Sequence, residues 1–355
     1  MLLRLLTPFA SQVDRAINAA VLEAGRKARK RSGPESLGHD ERMQALERIR
    51  AIYDRPEHFA DPSPLFAEPS AIDPALTHVR LLPGGRVVDA VWESGFTPHC
   101  ADIAERYLGF AQNRSAAARL FLHEGAPRPA VLLVHGYRCG QFAFEERAWP
   151  VRWLFERGLD VALTVLPFHA VRAARRGPPA FPSNDPRVTN EGFRQAVADL
   201  RGLSRFLRDR GAPAVGVMGM SLGGYTTSLL ATVDSSLAFA VPIIPLASIA
   251  DVARHNDRFV GTPDQKRAQH EALDAVHRAV SPFARPPRIS PDRTLVVGAA
   301  GDQITPVDHA RRLAAHFNAP LEVMAGGHLL QLGRADAFRA IGRMLGRLGM
   351  FEERR

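Results

Sequence analysis

From about residue 78 the chain alternates short apolar runs with longer amphipathic stretches. The segments 79–82 and 86–92 flank Pro83-Gly84-Gly85, which reads as a hairpin. A further run at 117–123 reads as another strand. After it come near-continuous apolar runs at 130–134, 161–166, 214–218, 238–244, 294–298 and 321–324. Between them lie stretches of helical spacing at 142–157, about 190–210, after position 221, 307–317 and about 334–348. Strands apolar on both sides, alternating with helices, predict an α/β fold with a mostly parallel sheet covered by helices on both faces. Residues 1–75 differ. Val13, Ile17, Ala20, Val21 and Ala24 recur at helical spacing, as do Met43, Leu46, Ile49 and Ile52, with a break at Arg31-Ser32-Gly33-Pro34. Pro-rich segments at 61–64 and 67–70 then lead into the sheet. The expected organisation is an N-terminal helical extension (1–75) and a main domain (76–355), with a polar and helical insertion at about 248–292.

Composition narrows the function classes. Hydrophobic residues make up 46% of 355, enough for a large core and unlike a disordered chain. The net charge of +9 raises nucleic acid or anionic lipid as partners. However, the arginines are spread along the whole chain, and lysine occurs only at 27, 30 and 266. The one dense basic cluster is 26–31, where a solvated helix end is the plainer explanation. No nucleic-acid partner is expected. Contact of the N-terminal helix with a membrane surface is a minor alternative to its packing on the protein itself. No apolar run approaches the roughly 18 residues a membrane-spanning helix needs. The apolar start is short, is broken by Arg4 and lacks a small-x-small cleavage site. With only Cys100 and Cys139, and no disulfide framework, this predicts a cytoplasmic protein. Neither a metal-ligand spacing nor a Gly-rich phosphate loop is present, so no metal and no cofactor are expected.

The candidate chemistry begins at Gly219-Met220-Ser221-Leu222-Gly223, which follows an apolar run and precedes a helix-like stretch. Strand, G-x-S-x-G, helix is the arrangement that exposes a serine hydroxyl on a strained turn. A Gly-rich turn with a structural serine is the alternative. In a parallel sheet, active groups gather at the carboxyl ends of strands. Two other strand ends supply a carboxylate and an imidazole. Asp302 follows the 294–298 run and His328 follows 321–324 on a Gly-rich loop. A histidine there can relay the serine proton, and a carboxylate can fix its tautomer. An exposed loop histidine is the plain alternative for His328, and a helix cap for Asp302. Thr305, before Pro306, is the better cap candidate. Backbone N–H groups of Leu222 and of Tyr137, in His135-Gly136-Tyr137, are the candidate oxyanion donors. His135, His169 and Arg172 are candidate substrate contacts, although a satisfied loop histidine is the preferred role for His135.

The order Ser221, Asp302, His328, with a His-Gly dipeptide after an earlier strand, resembles the α/β-hydrolase superfamily. The stretch from about 118 to 348 carries the resemblance. It is most similar to the dienelactone-hydrolase-like and carboxylesterase-like branches. Pro167-Phe168-His169 also resembles a loop of those enzymes. The resemblance implies an eight-stranded, mostly parallel sheet, a Ser-His-Asp triad, and neither metal nor organic cofactor. A dienelactone hydrolase would carry a cysteine nucleophile, so Ser221 points toward oxygen esters. The expectation is a serine hydrolase acting on a small-molecule ester through an acyl-enzyme. The insertion would lie over the site as a cap, its Phe259, Val260, Leu273, Val276, Val280 and Phe283 lining an acyl pocket or forming the cap's own core. An acyltransferase or peptidase with the same triad, and a non-catalytic binding protein on this scaffold, are the alternatives. The specific ester, the acyl length and the oligomeric state are left open.

Overall fold

A computed structural model describes residues 6–32, 37–174 and 178–351. Among them nine strands form one sheet in the order β1-β2-β3-β5-β4-β6-β7-β8-β9. The antiparallel part is β1 (Ala75–Leu82), β2 (Gly85–Glu93) and β3 (Ser115–His123), with β3 also antiparallel to β5 (Asp160–Thr164). The parallel part is β5, β4 (Ala130–Val134), β6 (Val215–Met220), β7 (Ala240–Ile243), β8 (Val296–Ala299) and β9 (Leu321–Met324). The sheet thus has one strand more than the resemblance implies. The extra strand is the β1 edge of the 75–93 hairpin, whose Pro83-Gly84-Gly85 turn carries Gly84 at φ 75°.

Helices α1 (Thr7–Ser32), α2 (His39–Tyr53) and α3 (Glu57–Ala60) precede the sheet, and α4 (Ala101–Leu108) lies between β2 and β3. After β4 the chain forms α5 (Phe142–Ala148) and α6 (Val151–Phe155). The expected single helix over 142–157 is broken there by Pro150, which leaves Trp149 extended. Helix α7 (Pro186–Asp209) follows β5, and α8 (Leu222–Val233) follows β6. The insertion carries α9 (Ile249–His255) and α10 (Pro263–His277). Helices α11 (Val307–Phe317) and α12 (Arg334–Arg347) follow β8 and β9.

Alternate residues of the central strands feed two cores. Leu132, Val134, Val215 and Val217 point to one face, and Val131, Leu133 and Met218 to the other. The first core takes in helices α7 and α8. It also holds Tyr53, Leu65 and Phe66 of the N-terminal region and Val280 and Ile289 of the insertion. Val276 and Val280 are fully buried and Phe259 nearly so. Helix α10 packs along α2, so the extension and the insertion brace each other on that face.

The N-terminal stripe differs from its expected face. Helix α1 buries Ala10, Ser11 and Asp14, whereas Ile17 is 45% exposed. Val21 and Ala24 lie where side chains are outside the described set. The reason is steric. The helix rests on two glycine-containing loops, where small and hydrogen-bonding side chains fit and large apolar ones do not. Position 301 illustrates this, since a Cβ there would meet Ser11 Oγ at 2.6 Å.

Candidate active site

Ser221 stands between β6 and α8, as the residue capping α8, at φ 56°, ψ −113°, in a region that costs a non-glycine residue about 1–3 kcal/mol. The strain is held by close packing on every side. A Cβ on Gly219 would strike the Gly223 carbonyl oxygen, and one on Gly223 would strike that of Val134. One on Gly224 would come within 2.9 Å of the Pro245 Cα. The Ser221 N–H donates to Ile243 O at 3.0 Å, and its carbonyl accepts from Tyr225 N at 3.0 Å and Leu246 N at 3.3 Å. These contacts pin the elbow to the end of β7. Ser221 is partly exposed, while the helix behind it is buried throughout.

Asp302 and His328 leave β8 and β9, neighbouring strands of the same rim. His328 Nδ1 lies 2.7 Å from Asp302 Oδ2, and both residues are buried. The other carboxylate oxygen, Oδ1, accepts N–H bonds from Ile304 (2.8 Å) and Thr305 (2.7 Å). Asp302 is therefore fixed as an acceptor on both sides. Nδ1 of His328 then carries the proton, which leaves Nε2 unprotonated. Thr305 is not the helix cap expected from the sequence, because Pro306 occupies that position. Its hydroxyl lies 3.0 Å from Ile244 O, from Asp302 Oδ2 and from His328 Nδ1. It thus ties the acid to the elbow's neighbour strand.

Asp14 was not legible as a site residue. It is wholly buried, and its Oδ2 accepts from His328 N at 2.6 Å and Gln303 N at 3.3 Å. Its Oδ1 accepts from Leu329 N at 3.0 Å. The only signal in the sequence is a carboxylate set among apolar residues of a helix.

The two candidate oxyanion donors differ in setting. Leu222 is the first residue of α8, so its N–H has no carbonyl one turn earlier to bond within the helix. Tyr137 sits in the turn after β4 and is 41% exposed. Gly136 next to it would place a Cβ 3.5 Å from that of Ser221.

The three candidate substrate contacts lie inside the protein. His135 Nε2 accepts from Leu166 N at 3.0 Å, and Nδ1 donates to Gly136 O at 2.7 Å. Burial pushes its pKa down to about 3, so it is a neutral strap between the ends of β4 and β5. Arg172 is 1% exposed, ion-paired with Asp199 at 2.8 Å and hydrogen-bonded to the carbonyls of Val165 and Asn113. Its place as a substrate contact is corrected accordingly: the desolvated guanidinium is held by these partners through both terminal nitrogens and presents nothing to solvent. His169 is also buried. Its Nδ1 donates to Pro167 O at 2.8 Å, Nε2 has no hydrogen-bond partner, and burial lowers its pKa to about 4.

Among the described residues no group of three His, Cys, Asp or Glu side chains is placed to hold a metal ion. No described helix is long and apolar enough to cross a membrane.

No protein-family model matches the sequence. Two uncharacterized proteins of Mycobacterium tuberculosis, from strains CDC 1551 / Oshkosh and ATCC 25618 / H37Rv, are each 32% identical over 285 residues, 75% of this chain. The chain spans 66% of the length of these relatives. An acetyl xylan esterase from Paenibacillus sp. R4 is similar in structure with a TM-score of 0.58 at 16% identity, covering 86% of this chain and 99% of that one. Acetyl xylan esterase 1 from Thermoanaerobacterium sp. gives 0.56 at 16% identity, with the same coverage. The strand order, the elbow after β6 and this likeness over most of the chain show that it has the α/β-hydrolase fold.

Proposed function

We propose that this protein is a serine hydrolase that cleaves carboxylic esters through an acyl-enzyme on Ser221. The observation that carries the proposal is the 2.7 Å bond between His328 Nδ1 and Asp302 Oδ2, on the same sheet rim as a serine held at φ 56°. Asp302 sets the tautomer of His328, whose Nε2 takes the Ser221 hydroxyl proton as Oγ attacks the acyl carbon. The carbonyl oxygen gains negative charge, which the N–H groups of Leu222 and Tyr137 stabilise, each donor contributing about 3–4 kcal/mol. His328 returns the proton to the departing alcohol. Water then enters, loses a proton to the same nitrogen and releases the acid, restoring Ser221. Ester cleavage also accords with the names of the two structural neighbours, although at 16% identity the likeness itself bears on fold. The insertion packs on α2 and α7, with Val276 fully buried and Val280 part of the first core.

The test compares the natural chain with Ser221→Ala on p-nitrophenyl esters of increasing acyl length, alongside labelling by a fluorophosphonate. The natural chain is expected to turn over esters and to carry the label on Ser221. The variant should do neither while keeping its circular dichroism. Full turnover by Ser221→Ala would end the proposal.

A further inference from the structure

We propose that Asp14, on the N-terminal helix, is a positioning residue for the His328–Asp302 pair, so that helix α1 is a working part of the site and not an appendage. The inference rests on the serine-hydrolase proposal for what the pair does, and on separate geometry for how the pair is held. One Asp14 carboxylate spans two loops. It accepts from the N–H of His328 itself and of Leu329 on the loop after β9, and from the N–H of Gln303, the residue after Asp302, on the loop after β8. One turn earlier, the Ser11 hydroxyl donates to Gly301 O at 2.7 Å, on the residue before Asp302. The acid is therefore held from both sequence neighbours, and the histidine by its own amide.

The loops are shaped to receive the helix. A Cβ on Gly327 would run into Asp14 Oδ2, and one on Gly301 would meet Ser11 Oγ at 2.6 Å and Thr7 Cγ2 at 2.8 Å. The two loops also touch directly, through Gly301 N to Gly326 O at 2.7 Å. Ala300 N to Met324 O at 3.0 Å and the His328–Asp302 bond also join them, and the helix adds contacts on either side of the pair. Bonds from N–H groups to a carboxylate are among the stronger ones in proteins, and a buried carboxylate that lost them would be left unsatisfied. The helix and the loops thus hold each other in one arrangement. Displacing a catalytic group by about 1 Å costs on the order of 10² in rate, and holding the His328 amide guards against such a shift.

Asp14→Ala and Asp14→Asn test this in the full chain. The readouts are kcat and KM on a p-nitrophenyl ester, and the downfield proton resonance of the His328 Nδ1–H, assigned by its loss in His328→Gln. Asp14→Ala should lower kcat about 10²-fold with KM within about twofold, and should broaden or abolish the resonance. Asp14→Asn keeps the shape and one acceptor oxygen. It should lose about tenfold in kcat, and it is the variant to read if Asp14→Ala does not fold. Folded variants with kcat within about twofold of the natural chain and an unchanged resonance would overturn the inference. A natural chain that neither turns over esters nor takes the fluorophosphonate would defeat the hydrolase proposal instead. The resonance would then decide the role of Asp14 alone, and its persistence in Asp14→Asn would count against it.

Discussion

Mild acid should destabilise this protein, with three deeply buried histidines contributing most and His99 and His309, also lowered by burial, adding in the same sense. His135 and His277 are driven down to pKa values of about 3 and His169 to about 4, in each case first by burial. His277 has its Nδ1 2.6 Å from Asn190 Oδ1, so it too is a neutral donor. An unfolded histidine titrates near 6.5. Each folded value lies below that, so the stabilisation is complete above about pH 6.5 and is lost as the pH falls toward the folded pKa. Between pH 8 and pH 5 the loss is about 2 kcal/mol for each ring, about 6 kcal/mol for the three. Carboxylates held below their usual range, such as Asp185 and Asp251, lose stability mainly below this window. Glu145 and Asp199, raised by burial, act in the opposite sense and offset part of the loss. The clean measurement is therefore a difference. Urea unfolding at pH 8 and pH 5 is compared for the natural chain and His277→Gln, whose ring bonds to Asn190 and not to the His328–Asp302 pair. Whatever the variant's absolute stability, its pH-dependent loss should be smaller by about 2 kcal/mol. Equal losses in the two proteins would show that His277 is not held neutral, and the reasoning for the other two rings would fall with it.

Two substitutions separate scaffold from chemistry. Asp302→Asn keeps an oxygen for the Ile304 and Thr305 amides but turns an N–H toward His328. That forces the wrong tautomer and should lower kcat about 10⁴-fold, with little change in the circular dichroism. Arg172→Met leaves Asp199 buried without its cation and should cost about 3–5 kcal/mol in urea unfolding, whereas Arg172→Met combined with Asp199→Leu should recover much of that. In both proteins the rate per folded molecule should stay near that of the natural chain, as expected of a residue that never meets substrate.

The elements legible in the sequence were those fixed by local sterics. Gly219 and Gly223 stand where only a hydrogen atom fits between strand and helix, and a rule about that fit finds them without coordinates. Asp302 and His328 follow strand ends, and a parallel sheet brings such positions to one rim. The nine strands were likewise present as apolar runs, although the family resemblance implied eight. What escaped were side chains whose partners lie far along the chain. Arg172 looks like a loop cation until Asp199, on a helix 27 residues later, is seen to neutralise it. Thr305 fits a capping pattern locally, yet its hydroxyl goes to Ile244 and Asp302 instead. Asp14 sits in a helix whose apolar positions suggest a different buried face, and nothing nearby in sequence announces three backbone amides waiting for it.

The bond from the His328 amide to Asp14 joins residues 314 positions apart. On the ribosome, the first helix emerges long before the segment it must clasp, and it has to wait unclasped while the whole sheet is made. A break that removes Asp14 on one side or His328 on the other, by early termination or by proteolysis, would undo the same joint. Competence would therefore appear late, only once the segment around His328 has been made and the clasp can close.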